Sequence, residues 1–414
     1  MLKGTITIPS DKSISQRALI LSTLAQGSFE IKNFCLSQDC LSTLGVVKNL
    51  GIDTEFVSET HIKLKNNGLL APQNILNCNN SGTCMRMMSG VLAGQNFNSI
   101  LIGDESLSKR PMKRIIDPLI LMGAKCKSNN GYAPLKFYGQ NLYGIKYLSP
   151  VSSAQVKSAV LLAGVQAEDV TVFSEPFKSR NHTEIMLKNM GADIYVNKNE
   201  IKIKKSVLSP KNISVVGDFS SAAFFIAAGL VIPNSEIIIK NVGLNPTRTG
   251  FLSILKNMNA NIEILDYNEN NGEPYGDLKV NYSNLTGITI EGEVIPNAID
   301  ELPLFALLGA CANGKTVLKD ASELRKKESD RISAIVNEIQ KLGIVIEETP
   351  DGFIVEGKQS FTGGIEVSSH KDHRIAMCLY IAGLLCKEPI SIKDFDCINI
   401  SFPEFINLIE QISV

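Results

Sequence analysis

Ile185-Met186-Leu187-Lys188-Asn189-Met190-Gly191-Ala192 reads as the end of an amphipathic helix, a stop at Gly191 and the entry to a strand. Glycine or asparagine just past a run of apolar and lysine residues marks a helix C-terminus, because these residues take the left-handed conformation at low cost. Residues 46–52, 119–125, 254–260 and 339–344 repeat the pattern, with stops at Gly51, Gly123, Asn259 and Gly343. The intervals between successive stops are 72, 68, 68 and 84 residues. A period near 70 divides the 414 residues about six times, and the helical pattern Phe405-Ile406-Asn407-Leu408-Ile409 falls where a sixth copy would end, with no glycine after it. Solenoid repeats run about 20–50 residues, so each copy is instead a small α/β module. Helix–glycine–strand junctions recur in any α/β chain; the near-even spacing is what points to repetition. Alternating strands lie between the stops, at residues 4–8, 100–102, 170–173, 236–239 and 287–290. The polar stretch 267–275 reads as a hairpin or surface loop.

Length alone, at roughly 150 residues per domain, allows two or three domains. Hydrophobic residues make up 44 % and charged residues 20 %, which excludes a disordered chain and leaves ample material for a core. Lysine and arginine number 41 against 42 acidic residues, a net charge of −1. A broad nucleic-acid or anionic-membrane surface needs a basic excess, so no nucleic-acid or membrane partner is expected and any basic site must be local. Nine cysteines without a C-x-x-C pair fit no zinc site and suit a reducing compartment; no metal is expected. The N-terminus carries no signal-peptide core, and the longest apolar run, residues 222–232, is too short to span a bilayer; a soluble cytoplasmic protein is expected.

The nine arginines cluster where helices begin. Arg17 follows Ser13, Arg86 follows Ser81-Gly82-Thr83, and Arg110 precedes Pro111, a favoured first helical residue, with Arg114 one turn on. Arg180 precedes Asn181, Arg248 follows Asn245-Pro246-Thr247, Arg325 and Arg331 flank Ser329 as an N-cap, and Arg374 follows Asp372. A cation at a helix N-terminus is disfavoured by ~0.3–1 kcal/mol. The placement calls for an anion that offsets the cost, either an anionic small ligand or local carboxylates such as Asp11 and Asp330. Neither a P-loop nor a G-x-G-x-x-G turn is present.

The motif Pro9-Ser10-Asp11-Lys12-Ser13-Ile14-Ser15-Gln16-Arg17 resembles the enolpyruvyl transferases, in their 5-enolpyruvylshikimate-3-phosphate synthase family. The similarity continues through Asn80-Ser81-Gly82-Thr83-Cys84-Met85-Arg86, Gly103-Asp104-Glu105 with Lys109-Arg110-Pro111-Met112, Ser153-Ala154-Gln155-Val156-Lys157 and Arg180-Asn181-His182-Thr183-Glu184. It ends with Asn245-Pro246-Thr247-Arg248, Asp300-Glu301-Leu302-Pro303, Lys327-Glu328-Ser329-Asp330-Arg331 and Asp372-His373-Arg374, so it spans essentially the whole chain.

The resemblance implies an α/β (α+β) fold of two similar domains, each of three βαβαββ units, the inside-out α/β barrel of the enolpyruvyl transferases. The domains would be 11–216, and 1–10 with 217–414, with the active site in the cleft between them and closure on binding. The implied reaction moves the enolpyruvyl group of phosphoenolpyruvate to the 5-hydroxyl of shikimate 3-phosphate, without cofactor, in a monomer. By position, Lys12, Ser13, Arg17, Ser153, Ala154, Gln155, Arg180, Asp300 and Lys327 would hold shikimate 3-phosphate. Lys12, Gly82, Arg110, Gln155, Glu328, Arg331 and Arg374 would hold phosphoenolpyruvate. Glu328 fits the acid that protonates the methylene carbon and Asp300 the base for the hydroxyl, with Lys12 and Lys327 as rival proton carriers; Glu328 should be partly desolvated in a closed site.

The Ser153-to-Lys157, Arg180-to-Glu184 and Asn245-to-Arg248 motifs resemble the subclass associated with glyphosate tolerance, whereas Gly82 leaves room for an inhibitor. Ile400 stands before Ser401-Phe402-Pro403, where many relatives carry lysine. The UDP-N-acetylglucosamine enolpyruvyl transferase carries a cysteine acid in a loop corresponding to residues 105–111, and none occurs here. A non-catalytic anion-binding protein of the same fold is the remaining alternative, against which Asp300 and Glu328 argue.

Overall fold

The structure, a computed structural model, describes residues 1–414. Each helix stop read from the sequence takes a positive φ: Gly51 at 88°, Gly123 at 94°, Gly191 at 91°, Asn259 at 64° and Gly343 at 87°. Each closes an outer helix, Gln38–Asn49, Lys113–Leu121, His182–Asn189, Gly250–Asn257 or Arg331–Lys341, and leads into an antiparallel strand pair.

The module is helix, strand, helix, then three strands, and its last strand joins the next module's sheet in parallel, except in the third module, whose last strand Ile213–Ser214 returns to pair with Gly27–Lys32 of the first. Leu76–Asn77 thus pairs with Ser99–Ile102, and Lys146–Leu148 with Val170–Ser174. The results are five four-stranded sheets and one of two strands, each small, with none closed into a barrel. The sixth module contributes helix His373–Gly383, strand Ser391–Lys393 and helix Phe405–Ile412.

The chain divides into two compact units. The first comprises Ser10–Val216 with Glu269–Glu273, and the second Met1–Pro9, Gly217–Asn268 and Pro274–Val414. The polar stretch at 267–275 is the turn of a hairpin between strands Asn261–Asn270 and Glu273–Asn281, and its tip packs with the first unit. There Asn270 Nδ2 donates to the Ser214 carbonyl at 2.8 Å, and His182 Nδ1 lies 2.7 Å from Glu273 Oε1.

Three inner helices build each core. In the first unit these are Lys12–Ser22, Gly82–Ala93 and Ala154–Gly164. The last two pack so closely that a Cβ on Gly90 would stand 2.1 Å from the Ala159 carbonyl oxygen. In the second unit they are Phe219–Val231, Leu304–Cys311 and His373–Gly383. The longest apolar run of the sequence is most of the first of these, buried on every side, as an all-apolar helix must be. Phe225, Phe402 and Phe405 pack there with ring centroids 5.7–6.0 Å apart. No helix is long and apolar enough to cross a membrane.

Candidate active site

Most motif residues lie at the N-terminal ends of helices, inner and outer alike, where unpaired N–H groups favour anions. In the first unit, the Asp11 carboxylate caps the helix Lys12–Ser22 by accepting from the Ile14 N–H at 2.7 Å. That fixes Lys12, Ser13 and Arg17 on its opening turns. Lys12 Nζ donates to Asp39 Oδ2 at 3.0 Å. Arg17 is buried; its Nε donates to Thr183 Oγ1 at 3.0 Å and its Nη1 to the Ser13 carbonyl at 3.0 Å. Burial and then the neighbouring Arg180 push the Arg17 guanidinium down to about 10, against the carboxylates of Asp11, Glu184 and Glu273. Two guanidiniums so placed form a natural seat for a phosphate dianion.

Ser153 caps the helix Ala154–Gly164, with its Oγ 3.5 Å from the Val156 N–H. Gln155 is held at both ends: Oε1 accepts from Arg86 Nη1 at 2.6 Å, and Nε2 donates to Thr83 Oγ1 at 3.0 Å. A Cβ on Gly82 would stand 2.9 Å from Arg86 Nη1, which crowds this glycine, and at ordinary contact distance, 3.6 Å, from Arg110 Nη1. Arg110 Nη2 donates to Asn80 Oδ1 at 2.8 Å and to the Ser106 hydroxyl at 3.2 Å. Lys12, Ser13 and Arg17 thus share one helix start, Gln155 bonds Arg86, which with Arg110 borders Gly82, and Arg180 neighbours Arg17. Apart from Asp11, Asp39, Glu184 and Glu273, the named groups are cationic or neutral.

The second unit carries the carboxylates. Asp300 is a hub: its Oδ1 lies 3.2 Å from Arg331 Nη1 and 3.5 Å from Lys327 Nζ, and its Oδ2 3.9 Å from Arg374 and 4.0 Å from Arg248. Arg374 also donates to the Asp300 carbonyl at 3.2 Å. Glu328 Oε2 accepts from Arg331 Nη2 at 2.6 Å. Arg331 is only 1 % exposed, and burial, which weakens its charge, is outweighed by Asp372, Glu328 and Asp300, which push its pKa up. Glu301 and Asp218 pair with Arg248, and Ser220 bonds both Arg248 and Glu301. Asp300, Lys327, Glu328, Arg331 and Arg374 therefore form one cluster.

Two local readings of the sequence are corrected. Pro111 does not begin a helix: Lys109 closes the short helix Glu105–Ser108, and the next helix starts at Lys113. Ser329 is not the N-cap either. Asp330 Oδ1 accepts from the Ser333 N–H at 3.1 Å, while Ser329 Oγ donates to Asp372 Oδ2 at 3.1 Å. Arg325 is a surface-type pairing with Asp330 and Glu348, each at 2.8 Å. The charge of the second unit's arginines is met first by the protein's own carboxylates. Reading the sequence missed Glu301, Asp372 and Asp39 as arginine or lysine partners, since no spacing rule links residues so far apart in the chain.

Residues 1–409 match the family described as EPSP synthase (3-phosphoshikimate 1-carboxyvinyltransferase). The 3-phosphoshikimate 1-carboxyvinyltransferase of Thermodesulfovibrio yellowstonii is 49 % identical, over 99 % of this chain and 97 % of the relative. That of Bacillus subtilis is 48 % identical, over 100 % and 97 %. Among solved structures, the EPSP synthase of Acinetobacter baumannii superposes with a TM-score of 0.89 at 40 % identity, over 100 % of this chain and 96 % of that one. The enolpyruvyl transferase NikO of Streptomyces tendae shares the fold at a TM-score of 0.79 and 14 % identity, over 99 % and 95 %. With cationic helix starts in one unit, an Asp300–Glu328 cluster in the other and these full-length matches, the chain belongs to the EPSP synthase family.

Proposed function

We propose that both clusters serve one reaction, the first unit's binding anions and the second unit's moving protons and completing the anion contacts. The reaction is that of the family: the enolpyruvyl group of phosphoenolpyruvate passes to the 5-hydroxyl of shikimate 3-phosphate, and phosphate leaves. Each substrate carries one phosphate and one carboxylate. Lys12, Ser13, Arg17, Ser153, Ala154, Gln155 and Arg180, with Asp300 and Lys327, receive shikimate 3-phosphate. Lys12, Gly82, Arg110 and Gln155, with Glu328, Arg331 and Arg374, receive phosphoenolpyruvate. Arginine suits these roles because its planar fork meets a carboxylate or phosphate with two hydrogen bonds.

Glu328 gives a proton to the methylene carbon of phosphoenolpyruvate, which leaves C2 electron-poor. The 5-hydroxyl oxygen attacks C2 while Asp300 accepts its proton. The tetrahedral adduct collapses as Glu328 takes a proton back from the methyl group, and the departing phosphate carries away the proton held by Asp300. The observation that supports this assignment is the shared Arg331, bonded to both Glu328 and Asp300 at 2.6 and 3.2 Å. Arg331 trades the Glu328 oxygen for an anionic group of phosphoenolpyruvate, leaving Glu328 to carry the proton. A phosphate-release assay with each acceptor tests the reading. Phosphate is expected with shikimate 3-phosphate; release only with UDP-N-acetylglucosamine, or with neither, refutes it.

A further inference from the structure

Lys157 stands at the fourth position of the helix Ala154–Gly164 and is fully buried. An ammonium has three N–H donors. Lys157 Nζ lies 2.9 Å from each of three acceptors: Glu175 Oε1, Glu184 Oε1 and the carbonyl oxygen of Ser179. Glu175 holds the rest of Ser179, its Oε1 accepting from the Ser179 N–H at 2.8 Å and its Oε2 from the Ser179 hydroxyl at 2.7 Å. Every polar group of Ser179 is therefore tied to one ion knot, and the next residue is Arg180. The knot joins the helix that presents Ser153, Ala154 and Gln155, the segment after strand Val170–Ser174, and the helix His182–Asn189. Thr183, next to Glu184, carries the connection to Ser158 at 2.7 Å and to Arg17 Nε at 3.0 Å.

Cohesion alone does not call for such a knot. Well-packed apolar side chains of similar volume commonly replace buried ion groups without loss of stability. What charges add over methyl groups is direction: the carbonyl of Ser179 has one orientation that satisfies Lys157, and this fixes the peptide plane from which Arg180 departs. The surplus negative charge of the knot, two carboxylates against one ammonium, also faces Arg17, where Glu184 supports the charged guanidinium.

We infer that Lys157 is a positioning residue for the phosphorylated acceptor, holding Arg180 through Ser179 so that Arg180 and Arg17 meet the phosphate together. This rests on the proposed binding of shikimate 3-phosphate. The test uses the full-length protein, with calorimetric binding of shikimate 3-phosphate and steady-state kinetics for Lys157→Met. The same measurements on Lys157→Met/Glu184→Gln, which restores the net charge of the knot, cover the case in which the single variant does not fold.

The expected result is a Kd for shikimate 3-phosphate weakened about ten-fold or more in either folded variant. KM for phosphoenolpyruvate at saturating acceptor should stay within about two-fold, and the double variant should regain Tm without regaining affinity. Wild-type affinity in a folded variant overturns the inference, whatever its Tm. Failure of the unmodified protein to bind shikimate 3-phosphate overturns the substrate reading, and this inference with it.

Discussion

Replacing Asp372 by asparagine isolates the electrostatic part of the second unit's cluster. Asp372 is fully buried and does two jobs. Its Oδ1 caps the helix His373–Gly383 by accepting from the Arg374 N–H at 2.9 Å, and its Oδ2 accepts from Arg331 Nε at 2.8 Å and from the Ser329 hydroxyl at 3.1 Å. Asparagine preserves the volume and the cap but turns an NH2 group toward the Arg331 N–H, donor against donor. Removing one partner of a buried ion pair costs ~3–5 kcal/mol. Arg331 keeps Glu328 and Asp300, which places the loss near ~3 kcal/mol. For a unit of roughly 200 residues, each kcal/mol moves Tm by about 2–4 °C, so the variant should unfold about 6–12 °C lower at pH 7.

The pH dependence carries the same signature. Burial pulls the Asp372 carboxyl up, but Arg331, with help from His373, outweighs burial and the nearby Glu328 and holds it below its ordinary value. A carboxyl lowered in the folded state stabilises above its unfolded pKa, ~3.9, and that contribution is lost as pH falls through the folded value. The gap between parent and variant should therefore be flat from about pH 8 to 5 and narrow below about pH 4. Urea unfolding across that range measures it. Equal stability at neutral pH, or a gap that persists undiminished in acid, refutes the reasoning.

Three further outcomes follow from the geometry. Gly82→Ala should raise KM for phosphoenolpyruvate about ten-fold with a smaller loss of shikimate 3-phosphate binding through Gln155, because the new methyl displaces Arg86 from beside Gln155 and takes up space next to Arg110; unchanged kinetics would remove Gly82 from the phosphoenolpyruvate set. Gly90→Ala should destabilise the first unit by ~1–3 kcal/mol or more, seen as a lower Tm, since a Cβ at 2.1 Å from the Ala159 carbonyl oxygen forces two inner helices apart. The alanine's better helix propensity, ~1 kcal/mol, offsets only part of this. Glu328→Gln should cut turnover by about 10² or more while shikimate 3-phosphate still binds; near-normal turnover would exclude Glu328 as the acid.

The module boundaries were legible in the sequence because a helix stop is a local event. Gly51, Gly123, Gly191, Asn259 and Gly343 all hold positive φ, a conformation these residue types take at low cost. The strand segments and the buried helix Phe219–Val231 were legible for the same reason, since periodicity and a continuous apolar run are read within one turn or one strand. The residues at the helix starts were found from motifs, but their partners were not. Lys157 meets Glu175 and Glu184, Arg331 meets Asp372, and Arg248 meets Glu301 across separations that no residue spacing predicts. The choice of Asp330 over Ser329 as N-cap was likewise tertiary, because Asp372 claims the Ser329 hydroxyl. So was the assignment of the hairpin tip Glu269–Glu273 to the first unit, where its residues find their hydrogen-bond partners. Backbone conformation answers to neighbours a few residues away, and so the sequence by itself determined the modules. A buried charge must be matched by whatever the fold brings within about 4 Å, so only the tertiary structure decided which carboxylate answers each arginine.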